Sequence, residues 1–115
     1  MFNRIYVPID NSDISDKVLQ EAIKLAKSST AKLRIAHVVN LEQITFGIEM
    51  VGVAELKDAL LSIGQSLIDK VKLQLATAGV DAEVKLIENF GSEMSALVAE
   101  DAKEFGADLF ILGSH

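Results

Sequence analysis

Asp10 is the residue of this chain best placed for ligand chemistry, because it directly follows the uninterrupted apolar run at residues 5–9. A carboxylate at the tip of a strand can accept hydrogen bonds from an amino group or from the hydroxyls of a ribose. Turn and cap residues follow at positions 11–13, so Asp10 could equally cap the loop or the helix that comes next. The residue types alone leave both interpretations open.

A second candidate lies near the other end of the chain, where Gly113 and Ser114 follow an apolar segment. Glycine lets backbone N–H groups approach an anion closely, and the serine hydroxyl adds a donor, so the pair could open a phosphate-binding turn. Two residues do not define a motif, and an ordinary turn after a strand is the simpler interpretation.

Residues for catalysis or metal binding are harder to assemble. His37 lies in an apolar segment, where a structural histidine at the upper edge of a sheet is more common than a catalytic one. Asp10, Ser114 and His115 include the residue types of a hydrolytic triad, but there is no G-x-S-x-G motif. The chain also has no G-x-G-x-x-G or G-x-x-x-x-G-K-[ST] motif, no cysteine and no cluster with metal-ligand spacing. We predict no catalytic residues and no metal site.

The composition limits the class of protein. The 115 residues are half hydrophobic and about a quarter charged, which is typical of one globular domain. The net charge of −6 argues against nucleic acid or an anionic membrane surface as a partner. The N-terminal residues do not resemble a signal peptide, and the apolar runs are too short to span a bilayer. We therefore expect a cytoplasmic protein that binds neither nucleic acid nor membrane.

Four short apolar segments alternate with three segments of helical spacing. The apolar segments, which are typical of strands, span residues 5–9, 32–39, 81–89 and 108–112. The helical segments begin at Ser12 or Asp13, at residue 53 and at Ser92, and they end near residues 29, 78 and 105. This order predicts an α/β fold, a Rossmann-like open parallel sheet with right-handed crossovers and helices on both faces.

The character of each strand predicts its place in the sheet. The first and fourth strands are apolar at nearly every position, whereas the third alternates, which is typical of an edge strand. The economical strand order is therefore 3-2-1-4, with the switch point between strands 1 and 4. Ligands of such sheets bind beyond the carboxyl ends of the strands at that point, which here are Asp10 and Gly113.

The helical spacing also predicts local features. Gly64 would be a bend or a close packing point, Gly79 would end the long helix, and Ser92 would cap the last one. Residues 40–52 have no clear period and are predicted to form a loop or a short irregular helix above the crevice. The predicted buried residues are Leu56, Leu60, Ile63, Leu67, Val71 and Leu75 in the long helix, and Met94, Leu97, Val98, Ala102 and Phe105 in the last one.

Four segments resemble a known family. RIYVPIDNSD opens the chain, AHVV ends the second strand, Phe90-Gly91 precedes the last helix, and ADLFILGSH ends the sequence. In order and spacing the whole chain is similar to a universal stress protein domain of the A type. The resemblance implies a five-stranded parallel sheet and, as in many members of that family, ATP binding.

The resemblance also implies roles for single residues. Asp10 would face adenine or ribose, Val39 would line the adenine pocket, and Val7 and Pro8 would lie on its floor. Gly113, with Ser114 after it, would open the G-x2-G-x9-G-[ST] loop that holds the phosphates. The sequence ends two residues after Gly113, so the rest of that loop and the fifth strand, which commonly pairs across a homodimer, are not in it. Residues 1–115 are therefore expected to be one such domain, truncated at the C-terminus.

Three functional interpretations follow. The first is a regulatory, stress-response module that binds ATP and hydrolyses it slowly at most. The second is a member of the same family that binds no nucleotide and acts as a dimeric interaction or signalling domain. The third is an enzyme of a related α/β fold, for which a basic or nucleophilic cluster would be needed.

Overall fold

The computed structural model describes residues 2–10, 12–42 and 52–113. The segment at residues 43–51, which covers most of the predicted loop above the crevice, lies outside the described residues. The helices and strands that position the candidate site are, in chain order, β1 (Arg4–Pro8), α1 (Asp13–Ser29), β2 (Lys32–Asn40), α2 (Val53–Ala78), β3 (Ala82–Asn89), α3 (Met94–Phe105) and β4 (Leu109–Phe110).

The four strands form one parallel sheet in the order β3-β2-β1-β4, which confirms the predicted topology. In the register of the sheet, Tyr6 of β1 lies between Arg34 of β2 and Phe110 of β4. The side chains of Ile5, Tyr6 and Val7 are completely buried. The first strand is therefore central, as its uninterrupted apolar run predicts.

Alternating side chains of the central strand serve two separate cores. Ile5 and Val7 pack with residues of α1 and of the second half of α2, whereas Tyr6 packs with α3 on the opposite face. Successive residues of a strand point to opposite faces, so an apolar run without alternation requires helices on both sides. The prediction of helices on both faces is confirmed.

The end of β1 is close to the predicted one. Pro8 is the last residue of the strand and pairs with Ala36, and the N–H of Ile9 still donates to the Ala36 carbonyl at 2.8 Å. Proline has no N–H to donate, but at this position the ladder between β1 and β2 continues past it. A central strand can therefore contain Pro8.

Helix α2 has the predicted bounds, but its buried stripe is partly different. Ile68, Val71 and Leu75 are buried against the sheet, whereas the predicted core residues Leu56 and Ile63 are 45% and 63% exposed. The predicted stripe fits the second half of the helix, but in the first half only Leu60 of its three members packs against the sheet. In the first half, the residues that contact the sheet edge are Val53, Leu60, Leu61 and Gly64.

Two glycines of α2 have the predicted roles. A Cβ atom on Gly64 would lie only 2.6 Å from Cγ2 of Val39, so this glycine is a close packing point between helix and sheet. Gly79 ends the helix in a left-handed conformation with φ of 72°, and its N–H donates to carbonyls of the last turn. Glycine adopts that conformation without steric strain.

The beginning of α3 differs from the prediction. The N-cap is Glu93, whose side chain makes no capping hydrogen bond, and Met94 is exposed rather than buried. Ser92 instead donates its N–H to the side chain of Asn89, which draws it into the preceding turn. The later apolar residues of the predicted stripe, Val98, Ala102 and Phe105, are buried as predicted.

Strand β4 is shorter than its apolar sequence predicts. Only Leu109 and Phe110 are strand, although the N–H of Ile111 still donates to the Tyr6 carbonyl at 3.0 Å. Phe110 and Leu112 are exposed, and β4 has a strand neighbour on one side only within the described sheet. Among the described residues, no helix is long and apolar enough to cross a membrane.

Candidate functional site

The candidate site lies at the carboxyl edge of the sheet, where β1 and β4 end side by side. Their register pairs Ile5 with Leu109 and Tyr6 with Phe110. Continued at the same offset, it brings Gly113 level with Ile9, one residue before Asp10. The strand order therefore places Asp10 and Gly113, which follow β1 and β4, on the same edge of the sheet, although they are about a hundred positions apart in sequence.

Asp10 is exposed at this edge, and its orientation is tied to α1. Its backbone N–H donates to Oγ of Ser15 at 2.8 Å, and that hydroxyl donates to Oδ1 of Asp10, also at 2.8 Å. The N–H of Ser15 donates to Oγ of Ser12, which is the N-cap of α1. The carboxylate is thus tied to the strand-to-helix turn through a side-chain hydroxyl, whereas the N-cap of α1 is Ser12.

His37, in the neighbouring strand β2, forms a hydrogen bond to the same turn. Its Nδ1 lies 3.0 Å from the carbonyl oxygen of Ile9. A carbonyl oxygen can only accept, so His37 must carry a proton on Nδ1 and donate it. The predicted structural role for His37, hydrogen-bonded at the upper edge of the sheet, agrees with this contact.

The remaining predicted site residues have different environments. Pro8 is partly buried at the end of β1, and Gly113 is exposed just beyond β4. Val39 is nearly fully buried in a small apolar cluster beneath the first half of α2. Ser114 lies outside the described residues.

A small recess adjoins Asp10 on the side of the two neighbouring helices. It is bounded by Ser12, Ser15 and Asp16 of the α1 start and by Lys70 and Gln74 of α2. Its free volume of about 20 Å³ is close to that of one water molecule. This recess is therefore too small for a nucleotide base.

A polar turn borders the same edge at the end of β3. Oδ1 of the buried Asn89 accepts from the N–H groups of Gly91 and Ser92, and its Nδ2 donates to Asn40 at the end of β2. This one amide therefore links the tips of two strands and shapes the turn that leads into α3. An asparagine at a strand end has no distinctive sequence pattern, so this residue was not predicted from the sequence.

A buried ionic cluster lies on the opposite face of the sheet, under α3. Asp101 accepts from the hydroxyl of Tyr6 at 2.7 Å, from NH1 of Arg34 at 3.1 Å and from Nζ of Lys85 at 2.5 Å. Arg34 also pairs with two exposed carboxylates, those of Glu83 and Glu104. The only sequence signal for this cluster is a pair of basic residues inside predicted strands, and that signal was missed.

The cluster changes two pKa values. Burial by itself would raise the pKa of the Asp101 carboxyl, but the hydrogen bonds from Lys85 and Tyr6 and the charge of Arg34 outweigh it, so the pKa is lowered. Burial, followed by the hydrogen bond to Asp101, raises the pKa of the Tyr6 hydroxyl well above its usual value. The charged and polar side chains of this cluster pair with one another, so we regard the cluster as structural.

Comparison with known proteins identifies the family. The sequence model of the Universal stress protein family matches residues 1–115. Universal stress protein YxiE of Bacillus subtilis is 31% identical over 122 residues, which cover 99% of this chain and 80% of that protein.

Solved structures of similar proteins point to the same family. The crystal structure of a universal stress protein family member from Burkholderia pseudomallei is 26% identical, with a TM-score of 0.84 over 98% of this chain and 82% of that one. A universal stress protein in complex with cAMP is 25% identical, with a TM-score of 0.61 over 95% of this chain and 70% of that one. The chain described here belongs to the universal stress protein family.

Proposed function

We propose that this protein binds an adenine nucleotide, with ATP as the first candidate, at the carboxyl edge between β1 and β4. The observation that carries the proposal is the position of Asp10, an oriented and exposed carboxylate at the switch point of a 3-2-1-4 parallel sheet. In open α/β sheets this is where ligands bind. The family relative whose crystal structure contains cAMP supports an adenine nucleotide as the ligand class.

Each predicted site residue has a role in this proposal. Asp10 would accept hydrogen bonds from the adenine amino group or the ribose hydroxyls. Pro8 and the buried Val39 would form the apolar floor and wall of the base site. Gly113 and Ser114 would begin the phosphate-binding turn with backbone N–H groups and a hydroxyl. The role that we propose is regulatory, with binding as the functional event in a cytoplasmic stress response.

Binding is tested by isothermal titration calorimetry with ATP, cAMP and GTP on the wild type, on Asp10→Ala and on Asp81→Ala. Asp81 is a matched control because it is an exposed aspartate at the opposite, amino-terminal edge of the sheet, before β3. We expect Asp10→Ala to lower ATP affinity by roughly tenfold or more, as for a hydrogen bond to a charged group. We expect Asp81→Ala to bind like the wild type.

The absorption spectrum provides a second, simple measurement. The chain has one Tyr and no Trp, so adenine nucleotide that purifies with it would dominate the absorbance at 260 nm. A plain protein spectrum, together with a melting temperature that does not rise with millimolar ATP or cAMP, would rule out the proposal. Equal affinity of the wild type and Asp10→Ala would exclude Asp10 from the site.

The second candidate function is a dimeric interaction domain that binds no nucleotide. It is favoured by β4, whose outer edge has no strand neighbour among the described residues, and by the exposed apolar side chains of Phe110 in β4 and of Leu112 just after it. An unpaired apolar edge is a template for another strand. Light scattering on the wild type and on Leu112→Lys separates the possibilities: a homodimer that dissociates in the variant, without any nucleotide effect, supports this candidate.

A further inference from the structure

The peptide group that joins Ile9 to Asp10 is held at both of its ends by different elements. Its carbonyl oxygen accepts from Nδ1 of His37 in β2 at 3.0 Å. Its N–H donates to Oγ of Ser15 in the first turn of α1 at 2.8 Å. The same Ser15 hydroxyl then donates to Oδ1 of Asp10. We call the side chains of His37 and Ser15 the Asp10 clamp.

Two hydrogen bonds on one peptide group have a specific geometric effect. The peptide is planar, and its carbonyl and N–H point in opposite directions, so contacts at both ends fix its rotation. That rotation involves φ of Asp10, which sets the direction in which its side chain leaves the backbone. The bond from Ser15 to Oδ1 then fixes the carboxylate itself, because it restricts the side-chain torsions.

The chemistry of each group leaves few alternatives to this arrangement. The Ile9 carbonyl can only accept, so His37 must donate from Nδ1. The Ser15 hydroxyl has one proton, which it donates to Asp10 while it accepts the Asp10 N–H. Each member of the clamp is therefore in a defined hydrogen-bonding state before any ligand arrives, which reduces the entropy lost on binding.

We propose that His37 and Ser15 are positioning residues that set the direction of the Asp10 carboxylate for the nucleotide. This inference rests on the proposed function. It assigns His37 an effect that passes through Asp10 rather than through contact with the ligand. It also explains why a polar residue stands in an otherwise apolar stretch of β2.

The first test uses the pair His37→Leu and His37→Asn. Leucine and asparagine both branch at Cγ and have nearly the same shape, but only asparagine has an N–H group at the position of Nδ1. We expect His37→Leu to weaken ATP binding by about tenfold, and His37→Asn to restore it to within about twofold of the wild type. Equally weak binding by both variants would overturn the proposal, because shape rather than the donor would then matter.

A double-mutant cycle tests whether the effect passes through Asp10. In the Asp10→Ala background, His37→Leu should cause no further loss of affinity, because the group that it orients is gone. Fully additive losses would contradict the clamp. Ser15→Ala provides an independent arm at a helical surface position where alanine is well tolerated. It should also lose about tenfold in affinity in the wild-type background and nothing in the Asp10→Ala background.

Amide hydrogen exchange tests the clamp without a nucleotide. The Asp10 N–H should exchange at least about tenfold faster in Ser15→Ala and in His37→Leu than in the wild type or His37→Asn. The N–H of Ile9, which donates to Ala36, is the internal control and should not change. If Asp10 exchange is the same in all four proteins, the clamp is wrong even if ATP binds. If exchange follows the expected pattern but no nucleotide binds, the proposed function fails and the clamp stands.

Discussion

At the scale of single residues, the missing side chain of Gly64 determines how closely α2 packs against the sheet. Gly64 has no Cβ, and a methyl group there would lie 2.6 Å from Val39 and 3.2 Å from Leu86. Val39 is branched at Cβ and nearly fully buried, so it cannot move aside by a simple rotation. The predicted wall of the base site therefore depends on a glycine in another element.

This contact predicts the effect of Gly64→Ala on stability. Alanine favours a helix over glycine by about 1 kcal/mol, but forcing a methyl group into a packed core costs roughly 1–3 kcal/mol. We expect a net loss of about 1 kcal/mol in the free energy of unfolding, measured by urea denaturation. Ser66→Ala, at an exposed position of the same helix, is the control and should be neutral or slightly stabilising. A Gly64→Ala protein at least as stable as the wild type would show that the helix moves outwards at no cost.

At the scale of elements, α3 is attached to the sheet by charge as well as by apolar contact. Asp101 of α3 receives hydrogen bonds from β1, β2 and β3 through Tyr6, Arg34 and Lys85. The guanidinium of Arg34 also lies 4.6 Å from the centre of the Phe105 ring. One carboxylate therefore joins α3 to three strands, whereas the sequence pattern indicates only its apolar stripe.

The expected cost of Asp101→Asn follows from this arrangement. Removing one partner of a buried ion pair costs about 3–5 kcal/mol because it leaves an uncompensated charge. Arg34 keeps Glu83 and Glu104, so we expect a smaller loss of about 2 kcal/mol in the free energy of unfolding. Glu104→Gln is the matched control: its carboxylate is largely exposed, so it should cost less than about 1 kcal/mol. Equal effects of the two substitutions in chemical denaturation would refute the dominant role of Asp101.

Strand β4 is attached by a different carboxylate. Asp108 accepts from the backbone N–H groups of Asn3 and Arg4 at 2.8 and 2.9 Å, and these bonds lower its pKa. The ring of Phe110 lies 5.1 Å from that of Tyr6. These contacts fix the amino-terminal start of β4 beside β1 and so help to set the register of the two strands.

At the scale of the whole molecule, the lowered pKa values of Asp101 and Asp108 predict how stability depends on pH. A carboxyl whose pKa is lower in the folded than in the unfolded chain stabilises the fold above the unfolded value, which is about 4 for aspartate. That contribution is lost as the pH falls through the folded pKa, because the unfolded chain binds more protons in this range.

We therefore expect the free energy of unfolding to change little between about pH 7 and pH 5 and to fall below about pH 4. Urea denaturation at a series of pH values measures the profile. In Asp101→Asn the fall should be shallower, because one of the two groups no longer titrates. An acid limb as steep in the variant as in the wild type would show that other groups control acid unfolding.

Much of the fold could be predicted from residue patterns alone. Uninterrupted apolar runs are typical of strands covered on both faces, and an alternating run is typical of an edge strand. The predicted order 3-2-1-4 therefore follows from the contrast between the third strand and the first and fourth. The bounds of α2 and the left-handed end at Gly79 were equally predictable, because periodicity and glycine act locally. The same reasoning predicted Asp10 and Gly113 at the carboxyl ends of adjacent strands, which in the structure end slightly earlier, at Pro8 and Phe110.

The tertiary structure decided what local patterns cannot express. Whether Leu56 and Ile63 are buried depends on where α2 leaves the sheet, and burial of Asp101 depends on three strands that meet beneath α3. At the candidate site, the sequence determined that an acidic residue follows the central strand. Only the folded chain shows that Ser15 and His37 bind the two ends of the peptide group that joins Ile9 to Asp10. Hydrogen bonds between separate elements leave no periodic pattern in the sequence.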